Sequence, residues 1–315
     1  MKKVIIDCDP GMDDSMAIVM ALKSGLLDVK AITTLNGNYP VELTSTNARK
    51  VLEMLNRTEI PVAKGMGNPM VRKAPSDPFS HGEDGQAENH LPAPKMPLSE
   101  KHAVEMIIDT VNEFPGEISI ACLGPLSNLA MAMVKEPSII GKIKEVVAIS
   151  GSFGTNDYAF LNATGDTPQS EWNVYVDPEA AKIVYESGVP FVALGLDVAT
   201  HFEVDFSEED IQALENSPRP EAKFLRQAIR FVTGRGYDPY CTIIDCMAVA
   251  YVMDPSFVET FQGRVGVETL SPLTLGMTVL DRRHHHVWEQ LPMITIGKSA
   301  DYGRFLKTIV EYVLK

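Results

Sequence analysis

Four carboxylates fall within eight residues near the start of the chain, in Asp7-Cys8-Asp9-Pro10-Gly11-Met12-Asp13-Asp14. One or two of them can cap a helix, because aspartate accepts hydrogen bonds from first-turn N–H groups and suits the positive end of the helix dipole. Four exceed that need, and close carboxylates repel one another and resist ionising together. A hard divalent cation removes the conflict, since carboxylate and carbonyl oxygens are the ligands that Ca²⁺ and Mg²⁺ take. The segment therefore reads as a metal site.

The elements that must position it follow from the alternation of apolar runs. Val4-Ile5-Ile6 reads as a buried strand ending in the acidic turn, and Met16–Ser24 as a helix apolar nearly all round, stopped by Gly25. Met12, Met16 and Met20 share its core face. Strands are predicted at 29–34, 61–63, 118–123, 146–149 and 191–196. Helices are predicted at 43–55, 100–112, 126–134, 178–186, 207–233, 243–252 and 301–314, with a β-rich segment at 269–296. Two stretches, 65–98 and 151–172, lack periodicity, and long irregular segments inside a compact fold are commonly functional. Strand–helix–strand alternation predicts an α/β fold, a central, mostly parallel mixed sheet with helices on both faces, Rossmann-like. In such sheets ligands bind at the carboxyl ends of strands, where the acidic turn falls. No linker or internal repeat divides residues 1–315, which read as one catalytic domain.

Composition narrows the partners. With 28 Lys plus Arg against 42 Asp plus Glu, the formal charge is −14. A nucleic-acid polymer needs a basic face to replace its counterions, and an anionic membrane surface asks the same, so both are excluded as general partners. The four cysteines, Cys8, Cys122, Cys241 and Cys246, have no CxxC spacing and read as small buried residues of a reducing compartment. No apolar run approaches the roughly 20 residues of a membrane span, and the start of the chain lacks a secretory leader. A cytoplasmic, soluble protein is expected. His284-His285-His286 reads as strand or turn, not a metal tract, because neighbouring side chains on a strand face opposite ways. Arg72-Lys73, Arg282 and Arg283 read as solvated surface.

The segment DCDPGMDD resembles the DxDPGxDD signature of the inosine-uridine preferring nucleoside hydrolase family. Further matches follow in the family's order: Gly37-Asn38, His81-Gly82-Glu83-Asp84-Gly85, Leu123-Gly124-Pro125-Leu126-Ser127-Asn128, Glu171-Trp172-Asn173, Asp177-Pro178-Glu179-Ala180-Ala181, and Asp245 before Ala248-Val249-Ala250. The resemblance implies hydrolysis of the N-glycosidic bond of a ribonucleoside, a small-molecule substrate, a bound Ca²⁺ and assembly as a homodimer or homotetramer. It also implies roles. Asp9, Asp14 and Asp245 would ligate calcium through their side chains, and Leu123 through its carbonyl. Asp9 would take the proton of the attacking water, with Asn38 beside metal and water. Asp13 would hold the ribose 2′-hydroxyl, and Glu171 and Asn173 the 3′ and 5′ hydroxyls, with Trp172 as pocket wall or core aromatic. His81 would stand near the base. These residue types suit the chemistry, because glycosidic cleavage passes through an oxocarbenium-like state that carboxylates stabilise.

The chain departs from the family pattern in three places. Many members carry His before the C-terminal metal aspartate and use it to help the base leave; here the residue is Ile244. Tyr237 and Tyr240 are the candidate replacement donors. Gly165 stands where an Asn contacting the ribose 5′ end is usual, with Asp166 or Asn162 as substitutes. Ile149-Ser150-Gly151 replaces Met-Gly-Gly. Two other readings stay open at this point. One is an aspartyl-phosphate phosphatase, from Asp7-x-Asp9, against which Pro10-Gly11 and the second acidic pair weigh. The other is a nucleoside- or ribose-binding protein of the same fold with weak or lost activity, motivated by Ile244.

Overall fold

The computed structural model describes residues 1–75, 79–200 and 204–315; the rest of the irregular stretch at 65–98 lies among the described residues. Ten strands form in chain order: β1 (Lys2–Cys8), β2 (Leu27–Thr34), β3 (Val62–Lys64), β4 (Ile118–Cys122), β5 (Glu145–Ile149), β6 (Phe191–Leu194), β7 (Val258–Gly263), β8 (Val265–Val267), β9 (Thr278–Leu280) and β10 (Ile294–Ala300). Eight of them make one sheet in the order β3-β2-β1-β4-β5-β6-β10-β7, and β8 and β9 pair separately. All neighbours in the large sheet are parallel except β10 and β7. The predicted α/β sheet is thus the observed one.

β1 shows why the sheet must be covered on both sides. Val4, Ile6 and Cys8 point into one apolar core and Ile5 into the other, all fully buried, as the period-2 alternation of a strand dictates. The first core takes the helices Met12–Lys23 and Cys246–Met253, both buried over most of their length, and the second takes Ala103–Glu113, Ser127–Lys135 and Pro178–Glu186. The chain moves outward from β1 through β2 to β3, then returns to lay β4 against the other side of β1. The sheet order reverses between β1 and β4, and crevices for ligands open at such a point.

Two expectations need correction. The helix predicted over 207–233 is two helices, Glu208–Asn216 and Pro220–Thr233, because Pro218 and Pro220 interrupt it. The β-rich segment predicted at 269–296 holds only β9 and the start of β10. The missed strands lie earlier, at β7 and β8. β7 lies at the sheet edge, with partly exposed residues between its buried ends, so its apolar signal is weak. His284–His286 are exposed in a turn, within the strand-or-turn expectation. Arg72 is not free surface: its guanidinium pairs with Glu179 and donates to the Thr269 carbonyl. Met12, Met16 and Met20 are buried as expected, and among the described residues no helix is long and apolar enough to cross a membrane.

Candidate active site

The carboxyl ends of β1 and β4 converge on one cleft of about 330 Å³. Met12 and Asp13 enter it from the turn after β1, Leu123 from the end of β4, Ile149 from β5, Glu171, Trp172 and Asn173 from the helix start after the second irregular stretch, and Ile244 and Asp245 from the turn before helix Cys246–Met253. Asn38, His81 and Tyr237 complete the set of predicted residues that line it. Asp14 and Asp245, 231 positions apart in sequence, are adjacent here because the first helix and helix Cys246–Met253 pack on the same sheet face.

Carboxylate oxygens of Asp13, Asp14 and Asp245 lie within 4.8 Å of one another, all three residues buried. Asp9 stands next to them, fully buried beneath the cleft surface. Its Oδ2 accepts the Asn38 backbone N–H at 2.6 Å, while Oδ1 has no partner. Two glycines make room for this carboxylate: a Cβ at Gly37 would come within 2.0 Å of Oδ2 and one at Gly124 within 2.3 Å of Oδ1. Asp14 does the capping that the turn's position suggested. Its two oxygens accept the N–H groups of Asp9 (3.1 Å) and Gly11 (2.9 Å). Asp7 points away from the cleft and is clamped by Thr33 Oγ1 (2.6 Å) and Asn128 Nδ2 (2.8 Å).

Burial pushes every carboxyl of the group up from its ordinary range, to about 6 for Asp13 and Asp14, and further for Asp9 and Asp245, where neighbouring aspartates add to the effect. Without a counter-charge these acids could not all ionise. The unpartnered Oδ1 of Asp9 is what a coordinated cation would satisfy, so the residues present fit a hard divalent ion.

Across the cleft, Glu171 caps its helix by accepting the N–H groups of Asn173 (2.7 Å), Val174 (3.1 Å) and Gly151 (3.2 Å). Burial raises its carboxyl to about 7 against these three bonds. Asn173 spends its amide N–H groups on the carbonyls of Leu123 (2.7 Å) and Ile149 (3.0 Å). It thereby fixes the orientation of the Leu123 carbonyl, and only its side-chain oxygen is left for a ligand. Trp172 lines the cleft and stacks on Tyr175 at 6.1 Å.

The rest of the cleft wall includes Phe79, His81, Val232, Tyr237, Cys241 and Ile244. His81 Nδ1 accepts the Met12 N–H at 3.3 Å and lies 3.7 Å from Asp13 Oδ1. Its loop is tied down by Asn47, which donates to Pro10 and Asp84 carbonyls, and by Gln86, which donates to Ser15. Gly11 permits this approach, since a Cβ there would sit 2.6 Å from His81 Nδ1. Gly11→Ala is therefore expected to displace His81 and raise KM at least tenfold with little loss of melting temperature; an unchanged KM would separate His81 from substrate.

Three candidates fall elsewhere. Tyr240 faces a separate small cavity with Tyr302 and Phe305, because the 3-10 turn Pro239–Thr242 rotates it away from the cleft, on which Tyr237 and Cys241 border instead. Asn162 donates to Thr200 Oγ1, and Asp166 pairs with Tyr175; neither lines the cleft, where Ala163 and Thr164 stand. Gly165 has no room for a side chain, its Cβ position being 2.1 Å from Ser170 Oγ. The sequence reading missed Phe79, Val232 and Cys241 as cleft residues. Only their closeness to His81 and Tyr237 in the sequence hinted at it.

The model of the inosine-uridine preferring nucleoside hydrolases matches residues 4–307. The chain belongs to this family. It is a glycosidase that acts on the N-glycosidic bond of ribonucleosides. Pyrimidine-specific ribonucleoside hydrolase RihA of Shewanella sp. strain MR-4 is 35% identical over 89% of the chain and 87% of its own length. RihA of Escherichia coli O7:K1 is 34% identical over 98% and 97%. Among solved structures, a plant nucleoside hydrolase, PpNRh1, superposes with a TM-score of 0.87 at 31% identity, covering 99% of both chains. A purine-preferring ribonucleoside hydrolase from Gardnerella vaginalis gives 0.84 at 27%, covering 99% and 98%. The chain's membership sets aside the phosphatase reading of Asp7-x-Asp9.

Proposed function

We propose that this hydrolase depends on Ca²⁺, held by the side chains of Asp9, Asp14 and Asp245 and the carbonyl of Leu123, and that it prefers pyrimidine ribonucleosides. The observation that carries the metal reading is the buried aspartate cluster with an unpartnered Oδ1 on Asp9 beside it. When bound, the ion supplies an electrostatic anchor for the ribose diol and the attacking water. Asp9 takes a proton from that water, and Asn38, whose N–H holds the Asp9 carboxylate, keeps the base oriented. Asp13 receives the 2′-hydroxyl, and Glu171 and the side-chain oxygen of Asn173 receive the 3′ and 5′ hydroxyls. The carboxylates of Asp13 and Glu171 then face the ring on which positive charge develops. Tyr237 and His81 flank the base. The pyrimidine preference draws its support from the RihA relatives, which are similar over nearly their whole length.

Residues 1–315 act as one catalytic unit on this reading, in the cytoplasm and as a homodimer or homotetramer, which light scattering would measure. The substrate test is a panel of uridine, cytidine, inosine and adenosine with calcium present. Uridine and cytidine are expected to exceed both purines at least tenfold in kcat/KM. A purine at the head of the panel would overturn the base preference. Binding without cleavage of any would favour the inactive binding protein suggested by Ile244.

A further inference from the structure

We propose that Asp7 and Asn128 act as a positioning pair behind the cleft: they set the two loops that enclose Asp9, and through them the hold of the site on its cation. This rests on the reading of the aspartate cluster as a metal site. It gives a role to the one aspartate of the acidic turn that the cleft leaves unused.

Asp7, Thr33 and Asn128 are all fully buried. Asp7 Oδ1 accepts Thr33 Oγ1 at 2.6 Å and Asn128 Nδ2 at 2.8 Å. Asn128 stands in the first turn of helix Ser127–Lys135, and its amide is engaged at both ends. Nδ2 also donates to the Thr34 carbonyl at 3.1 Å, and Oδ1 accepts the Met66 N–H at 2.9 Å. The amide has no room to turn away, since a Cβ at Gly65 would come within 2.2 Å of its oxygen. One side chain thus joins β1, the end of β2, the loop after β3 and a helix. Hydrogen bonds to a carboxylate are stronger than those between neutral groups, so Asp7 is the anchor that orients the amide.

Both walls of the Asp9 pocket lead back to this amide. On one side the Met66 carbonyl accepts the Asn36 N–H at 2.9 Å. Gly37 and Asn38 come next, the glycine that makes room for the Asp9 carboxylate and the N–H that this carboxylate accepts. On the other side Leu123 donates its N–H to the Asp7 carbonyl at 2.8 Å. The chain then runs through Gly124, the second glycine against Asp9, directly to Asn128. The two loops also adjoin, because a Cβ at Gly37 would meet Pro125 Cδ at 2.9 Å. Groups that orient metal ligands without touching the ion commonly change affinity or activity about 10–100-fold when they are removed.

The test titrates calcium calorimetrically into the chelator-treated full chain, as wild type, Asn128→Ala and Ser127→Ala, with melting temperatures taken without calcium. Ser127 is the matched control. It is the preceding residue, equally buried, and its hydroxyl donates at 2.6 Å to Asp177 instead. Asn128→Ala is expected to weaken calcium binding about 10–100-fold and to lower kcat at saturating calcium, whereas Ser127→Ala binds calcium as the wild type does. An Asn128→Ala protein that binds as tightly as wild type would overturn the proposal. So would equal weakening in both variants, which is the mark of lost stability and not of lost position. Should Asn128→Ala not fold, Thr33→Val takes its place: it removes one donor from Asp7 and is expected to weaken binding about tenfold relative to Ser127→Ala. Unchanged binding there overturns the proposal as well. A wild-type chain that takes up no calcium sinks the metal reading and this proposal with it, an outcome distinct from wild-type uptake with unaltered variants.

Discussion

Asp9→Ala is expected to cut turnover of every nucleoside by at least a thousandfold while the protein still folds. The carboxylate is fully buried, wedged between Gly37 and Gly124, and joined to the chain by the Asn38 N–H alone at Oδ2. Its loss removes a proposed metal ligand and the proposed base together, and the second role by itself contributes about 10²–10⁴-fold. Stability should not suffer in proportion. Burial of this carboxyl beside Asp14 and Asp13 is unfavourable to its charged form, so alanine relieves repulsion even as it leaves the Asn38 N–H unpartnered. Circular dichroism and a melting curve would verify the fold, and a turnover assay the loss. Unchanged turnover would remove Asp9 from both roles. Asp9→Asn separates them in part, because the amide oxygen can still ligate but cannot take a proton.

Chelation should produce the second large effect. Exhaustive removal of divalent ions is expected to abolish turnover and lower the melting temperature by several degrees, and calcium to restore both. The cluster of Asp13, Asp14 and Asp245 is buried, with Asp9 beside it, so an ion binds the folded state and not the unfolded chain. Stabilisation then follows RT ln(1 + [L]/Kd), about 2.7 kcal/mol at a hundred times Kd. Scanning calorimetry with and without chelator reads the shift, and it does so in an Asp9→Asn protein as well, independent of activity. Full activity after chelation would count against a metal in the cleft.

The sequence showed the sheet and the aspartate cluster more clearly than the wall around His81 and Tyr237. Buried parallel strands announce themselves as apolar runs, as in Val4-Ile5-Ile6, and four aspartates in one turn leave few physical explanations. Asp245 could be located through the likeness of Asp245 and Ala248-Val249-Ala250 to a known pattern. That wall depends on irregular backbone, where no periodicity applies. Whether Tyr237 or Tyr240 faces the cleft is decided by a single 3-10 turn, and its phase cannot be read from residue types. Helix Pro220–Thr233 brings Val232 to the cleft only because two prolines start it where they do. The edge strand β7 was missed for the opposite reason, since partial exposure on both faces dilutes the pattern on which strand prediction relies.

The position of the aspartate cluster, the proposed metal site, between the first turn and helix Cys246–Met253 has a kinetic consequence. Asp14 and Asp245 are separated by most of the chain, and the closure of so long a loop comes late in the order of folding events. A nascent or partly denatured chain presents the N-terminal aspartates without their distant partner and has little hold on the ion. Capture of the cation thus marks the completed tertiary structure, and in refolding experiments it should appear as the last phase, after the sheet has formed.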